Sequence, residues 1–357
     1  MPIIDDYLRR MLELDGSDLH LMNGMPPRIR ATGRMRAMDE FPVLDQPLTE
    51  QIMREICADE PWELFLENND LDVAYEIPGL ARFRVNFLRS HLGMGAVLRQ
   101  IPAKILTLEQ LNLPKAIRDI CYYESGLVFV TGPTGSGKST TLAAMIDFIN
   151  KNFAKHIITI EDPVEFVHQN HKSIIVHREV GLHARSFGRA LESGMRADPD
   201  IILVGEMREL ETIRLALGCA SMGMLVFGTL HTNNAPKTID RVIDAFPAPE
   251  QAQIRTMLAG CLAGVVSQLL CRTADGKGRC AVHEILLQNE GLPNTIREGA
   301  ISNIRTIIEG SQAQGMCTMD GNLRKRYEEG IISATEAYMK ANDKAMFRDC
   351  APDEEMV

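Results

Sequence analysis

The chain has 357 residues, 45% of them hydrophobic, and carries 38 Lys and Arg against 48 Asp and Glu, a net charge of −10. That length predicts two or three domains, and the apolar fraction is ample for packed cores. The acidic balance argues against a protein that wraps a nucleic-acid backbone.

In chain order, the first residues, "MPIIDDYLRRMLELDG", mix acids and bases at helical spacing, which is not the pattern of a secretory signal. The spacing predicts a helix over 3–14 with Ile4, Leu8, Met11 and Leu12 on one face and Gly16 as its stop. Residues 17–38 read as short strands with turns at "MNGMPPR" and "ATGR", and a helical stretch follows from about Thr49, its candidate cap, to Asn69. "DVAYEIPGLARFRVNFLRSHLGMGAVLRQIP" reads as antiparallel strands turning at Pro78–Gly79 and around Gly93–Gly95. Within it Ala81, Phe83, Val85 and Phe87 alternate with Arg82, Arg84, Asn86 and Leu88, so Arg82 and Arg84 share the face opposite the apolar one. Such a pair is suited to clamping a transferring phosphoryl group; a solvated strand face is the alternative, and Arg89 and Arg99 are secondary candidates. Residues 1–100 are expected to form an α+β domain and 101–113 a linker.

From residue 114 the pattern changes to alternation. Helix 114–123, strand 127–131, helix 138–150, strand 156–161 and strand 174–178 come first. Helix 186–197, strand 201–205, helix 208–221, strand 224–230 and helices 236–245 and 249–270 follow. Short apolar strands between helices predict an α/β domain over 114–290 whose mostly parallel sheet is covered on both faces. The apolar run "TMLAGCLAGVVSQLL" (256–270) contains Ser and Gln and falls short of a membrane-spanning helix. Any membrane contact is therefore expected to be peripheral. After a strand-like "CAVHEILL", residues 291–357 read as a C-terminal helical region. The eight cysteines form no C-x-x-C pair, which fits a reducing cytosol better than a metal site.

Four strand ends carry polar groups. "GPTGSGKST" follows the strand "GLVFV" and opens a helix, and it matches G-x-x-x-x-G-K-[ST] at Gly132, Gly137, Lys138 and Ser139. Backbone N–H groups from Gly132 through Thr134, Gly135, Ser136 and Gly137 into Thr140 would converge on the phosphates of ATP, at the positive end of the helix. Lys138 would reach the β- and γ-phosphates, and Ser139 would ligate Mg²⁺. In "DPDIILVGEMRELET" an apolar strand ends at Glu206, placed to polarise an attacking water, with Gly205 where an Asp is usual. "HIITIEDPVEF" ends in Glu161, Asp162 and Glu165, which could order water around Mg²⁺, anchor a partner arginine, or be a solvated acidic loop. "MLVFGTLHTN" ends in His231, which could bond a γ-phosphate, relay the nucleotide state, or be structural.

On these residues the sequence resembles the secretion and type IV pilus motor ATPases, closely the retraction (PilT-like) branch, with the paralogous PilU-like proteins next. The resemblance covers nearly the whole chain. The four segments stand where that family has its Walker A, Asp box, Walker B and His box, and the Gly-Glu end of the third is characteristic of it. "GSDLHL" and "PPRIRATG" resemble its N-terminal domain. The resemblance implies a PAS-like N-terminal domain joined to a RecA-like P-loop ATPase domain in a homohexamer, with ATP between domains and subunits and N-terminal arginines completing the site. It also implies a cytoplasmic motor at the inner face of the inner membrane, acting through a pilus platform protein, with a paralogous retraction ATPase as a further partner. Assembly ATPases commonly carry a four-cysteine zinc site; the cysteines here lack that spacing, which favours retraction. "GLPNTIREG" (291–299) keeps, at Thr295, Ile296, Arg297 and Glu298, the second half of a retraction-type C-terminal segment. The alternatives are an assembly or secretion ATPase, a RecA-like nucleic-acid translocase, and a non-hydrolysing nucleotide-gated scaffold. The acidic balance and the want of a basic aromatic stripe weigh against the translocase.

Overall fold

The computed structural model describes residues 2–31, 34–101 and 104–351. The chain divides into two compact units, one of residues 1–104 with 163–167, the other of 105–162 with 168–357. Residues 291–351 thus share a unit with the nucleotide-loop sheet. The predicted turn at "ATGR" and part of the predicted linker fall on residues 32–33 and 102–103, outside the described residues.

The first unit runs α1 (Ile4–Glu13), β1 (Gly16–Met22), β2 (Arg28–Ala31), β3 (Arg34–Ala37), α2 (Gln46–Glu55), α3 (Asp59–Asn68), β4 (Asp70–Ile77), β5 (Ala81–Ser90) and β6 (Gly93–Ile101). Its sheet has the order β3-β2-β1-β6-β5-β4 and is antiparallel throughout. One face carries the core: Phe83, Val85 and Phe87 of β5 are fully buried against Ile4, Leu8, Ile52 and Phe65, while the residues between them stay half-exposed. The predicted alternation of β5 is what the structure shows. The predicted helix 49–69 is instead two helices. Pro61 has no N–H and its ring would strike the carbonyl four residues back, so it is tolerated only in a first turn, and the helix restarts at Asp59. Thr49 is not the cap. Asp45 is, accepting from Leu48 N at 2.9 Å, and the buried Thr49 hydroxyl donates to Asn23 Oδ1 at 2.6 Å.

The second unit runs α4 (Lys115–Ile120), β7 (Gly126–Thr131), α5 (Lys138–Asn152), β8 (His156–Glu161), β9 (Ile174–Glu179), α6 (Phe187–Gly194), β10 (Ile201–Val204), α7 (Leu210–Ser221) and β11 (Leu225–Leu230). It continues with α8 (Ala235–Asp244), α9 (Ala248–Cys261), β12 (Leu262–Arg272), β13 (Arg279–Leu287), α10 (Leu292–Arg297), α11 (Ile304–Gly310), α12 (Met319–Glu328) and α13 (Ala334–Lys340). The sheet order is β13-β12-β7-β11-β10-β8-β9, parallel except for β13 at one edge. Every residue of β7, β10 and β11 is buried, as expected of parallel strands covered on both faces. The predicted helix 249–270 ends at Cys261, and Leu262–Arg272 is a strand. The β-branched pair Val265–Val266 and the free strand edges of β7 and β13 decide this: backbone pairing on both sides outweighs an apolar run that reads equally well as helix. In the tail, Ile296, Ile301, Ile304 and Ile308 close the main core, and α12 and α13 pack a smaller one around Leu323 and Phe347.

Candidate active site

Strands β7, β11, β10 and β8 are neighbours and parallel, so their C-terminal ends open on one edge of the sheet. That edge is where open α/β sheets bind ligands. β7 ends at Thr131, the chain turns through residues 132–137, and α5 begins at Lys138. Gly132, Gly135 and Gly137 hold φ of 142°, 78° and 87°, a region closed to most side chains. Lys138 Nζ donates to the carbonyls of Gly132 (2.9 Å) and Pro133 (3.2 Å), which ties the ammonium to the loop. Thr134 and Gly135 are exposed; Lys138, Ser139 and Thr140 are half-buried. Ser136 is buried, and its hydroxyl has no hydrogen-bond partner among the described residues. A glycine cradle, a buried hydroxyl awaiting a partner and the positive end of a helix together fit a polyphosphate.

Beneath the loop lies β12. Gln268 Nε2 donates to Ser136 O at 2.6 Å, and Gln268 Oε1 accepts from Thr141 Oγ1 at 2.8 Å. His283 Nε2 lies 3.1 Å from the same oxygen. All four residues are buried.

Beside the loop, β10 ends in Gly205 and Glu206. Gly205 N donates to Ile160 O at 2.7 Å, and Thr229 Oγ1 donates to Gly205 O, so this residue is wedged between β8 and β11. A Cβ there would sit 3.2 Å from both Glu161 Cα and Ile160 O. A side chain there would press on the backbone of β8, which favours glycine over the aspartate usual at this position. Glu206 Oε1 accepts from His231 Nε2 at 2.8 Å and from Arg208 Nε. The carboxylate is the acceptor, so His231 carries its proton on Nε2. Arg208 is held charged by its hydrogen bond to Glu206, with help from the charge of Asp162. Glu161 ends β8 beside Gly205, and Asp162 follows it into solvent.

The structure thus brings the phosphate loop, Glu161, Asp162, Glu206 and His231 to one sheet edge. Residues 163–167, Glu165 among them, belong to the first unit. Arg82 and Arg84 are also in the first unit, on the polar face of β5, each facing an acid of β4: Arg84 Nη2 donates to Asp72 at 3.0 Å and Arg82 Nη1 lies 3.8 Å from Glu76. Arg99, the cross-strand neighbour of Arg84, donates to the buried Asp18 at 2.7 Å. Burial alone would raise the pKa of Asp18, but bonds from Ser17 and Arg99 outweigh it and hold the carboxyl below its ordinary value. Among the described residues no group of three or more His, Cys, Asp or Glu is placed to hold a metal ion. An ion here would rely on Ser139, phosphate oxygens and water, an oxygen set that suits a hard cation.

Three contributors escaped the sequence reading: Gln268, His283 and Arg208. The signal for Gln268 was present, since Ser267 and Gln268 are the two polar residues in the interior of a strand that is otherwise apolar up to its terminal Arg272. Arg208, two residues beyond Glu206, has no motif to mark it.

Residues 68–339 match the family described as type II/IV secretion system protein. The type IV pilus retraction ATPase PilT of Pseudomonas aeruginosa is 47% identical over 338 residues, covering 95% of this chain and 98% of that protein. The type IV pilus ATPase PilU of the same organism is 39% identical over 338 residues, covering 95% of this chain and 88% of that protein. A crystal structure of the pilus retraction motor PilT with bound ADP superimposes with a TM-score of 0.87 at 38% identity, covering 100% of this chain and 99% of the other.

Proposed function

Because the chain belongs to the type II/IV secretion system protein family, we propose that it is a motor ATPase of the pilus retraction branch, spending ATP hydrolysis on withdrawal of a type IV pilus. Identity of 47% to PilT against 39% to PilU, over equal lengths, supports retraction as its own work rather than that of an accessory paralogue. The observation that carries the catalytic reading is Glu206, aimed by His231 at the end of the strand one removed from the phosphate loop's own.

The loop amides and Lys138 bind the phosphates of ATP. Both bonds to Glu206 fall on Oε1, which leaves Oε2 to take a proton from water as its oxygen bonds the γ-phosphorus and the bond to the β-phosphate oxygen breaks. Mg²⁺, held by Ser139 and phosphate oxygens with Asp162 reaching it through water, would neutralise charge between the β- and γ-phosphates. Arg82 and Arg84 stabilise the transferring group, with Glu161 and Glu165 ordering water or anchoring arginines. Six copies form the ring. It works at the cytoplasmic face of the inner membrane on a platform protein, with a paralogous retraction ATPase as a further partner and no nucleic acid. In this reading the membrane contact is peripheral; no helix among the described residues is long and apolar enough to cross a membrane. Removing the gene and counting surface pili tests the reading. Hyperpiliated cells that do not twitch support retraction; bald cells would make this an assembly motor.

A further inference from the structure

The phosphate loop rests on a side chain that its motif does not contain. β12 lies parallel beside β7 with Ser267 opposite Thr131, their hydroxyls 2.8 Å apart. The next residue, Gln268, reaches up under the loop. The Ser136 carbonyl can only accept, so the atom 2.6 Å from it is the amide nitrogen. The amide oxygen must then face Thr141 and His283 and accept from both, which places the His283 proton on Nε2. Burial, reinforced by the charge of Arg326, pushes the His283 pKa down to about 3, so the ring is neutral at ordinary pH and this arrangement has no competitor. A trans peptide directs its C=O and N–H oppositely. Anchoring Ser136 O to the floor therefore turns the Gly137 N–H away from it, toward the mouth of the loop. The loop is also moulded on this residue: a Cβ at Gly137 would lie 2.9 Å from Gln268 Nε2, and one at Gly132 would lie 2.2 Å from Gln268 O.

We propose that Gln268 is a positioning residue for the phosphate loop, locked in one orientation by Thr141 and His283, and that it sets the loop's affinity for a nucleotide diphosphate. The inference rests on reading residues 132–140 as the nucleotide site.

The test uses the full-length protein, a fluorescent ADP analogue and the melting temperature without ligand. Gln268→Met fills the same space without the hydrogen bonds and is expected to weaken ADP binding at least about tenfold, the equivalent of roughly one lost buried hydrogen bond. Thr141→Val and His283→Phe should each weaken it less, and His283→Gln, which keeps a donor, should bind more tightly than His283→Phe. If Gln268→Met does not fold, the His283 pair decides. Wild-type ADP affinity in Gln268→Met, with or without a lowered melting temperature, would overturn the proposal by reducing Gln268 to a structural brace. Equal weakening in His283→Phe and His283→Gln would overturn the orienting role of His283. Lys138→Ala is the control: if it leaves ADP binding intact, the site has been misread and the proposal goes with it.

Discussion

The floor and the rim of the nucleotide site are built on opposite principles. Ser136, Thr141, Gln268 and His283 form a floor that is buried and neutral, joined by hydrogen bonds with one orientation for each group. Glu206, Arg208 and His231 form a rim that is charged and open, with side chains 23%, 75% and 46% exposed. Neutral polar groups that share hydrogen bonds can be buried at modest cost, whereas a buried unpaired charge is expensive. The shape of the loop is therefore set where water cannot compete, and charge is kept where nucleotide and water must enter.

Removing the cation of the loop that lies between floor and rim should have the largest effect. Lys138→Ala is expected to abolish ATP binding or turnover, since it takes away the cation of the phosphate loop; isothermal titration and phosphate release measure both. Unchanged values would separate the loop from the chemistry altogether.

Arg82→Ala and Arg84→Ala are expected to lower turnover while each monomer stays folded, because both sit on a partly solvated strand face. Mixing either with Lys138→Ala sharpens the result. Partial recovery of ATPase activity in mixed rings places the arginines across a subunit boundary; no recovery at any ratio confines them to their own subunit.

The floor should betray itself in acid. His283 has an ordinary pKa near 6.5 when unfolded and about 3 when folded. Between those values the unfolded chain binds a proton that the folded chain refuses, so stability is complete above about pH 6.5 and falls as pH drops toward 3. The slope is about 1.4 kcal/mol per pH unit from this one ring. Urea unfolding at pH 7 and pH 5 should show that loss in the wild type and a smaller one in His283→Phe. Equal losses would mean the ring is not held neutral.

The smallest effect is expected outside both regions. Arg297 and Glu298 are exposed, and Arg297 donates to Asn294 at 3.0 Å within its own short helix. Arg297→Ala with Glu298→Ala should shift stability by less than ~0.5 kcal/mol and leave ATP turnover near wild type, while impairing pilus retraction in cells. A parallel fall in turnover and melting temperature would mark the segment as a brace for the core that Ile296 closes.

How much of this was legible in the sequence follows from the same contrast. The loop was readable because its glycines, lysine and hydroxyls are adjacent in the chain, between a strand and a helix. Glu161, Glu206 and His231 were readable because each ends a recognisable apolar strand. Arg82 and Arg84 were readable because a period of two separates one face of β5 from the other. The floor was not, because its partners are brought together only by pairing: Gln268 meets Ser136 across 132 positions, inside a run that was read as helix. Thr49 failed as a cap for a similar reason. Asn23 offers its hydroxyl a buried partner that no local rule foresees, and Asp45 has the free carboxylate.

Glu206→Gln, assayed for ATP binding and for single-turnover hydrolysis in the same preparation, tests the central claim most directly. The amide keeps the shape of the carboxylate and loses its basicity. Binding should be retained while hydrolysis slows by about 10²–10⁴-fold. Hydrolysis at the wild-type rate would contradict the account and move the role of base to Glu161 or Glu165.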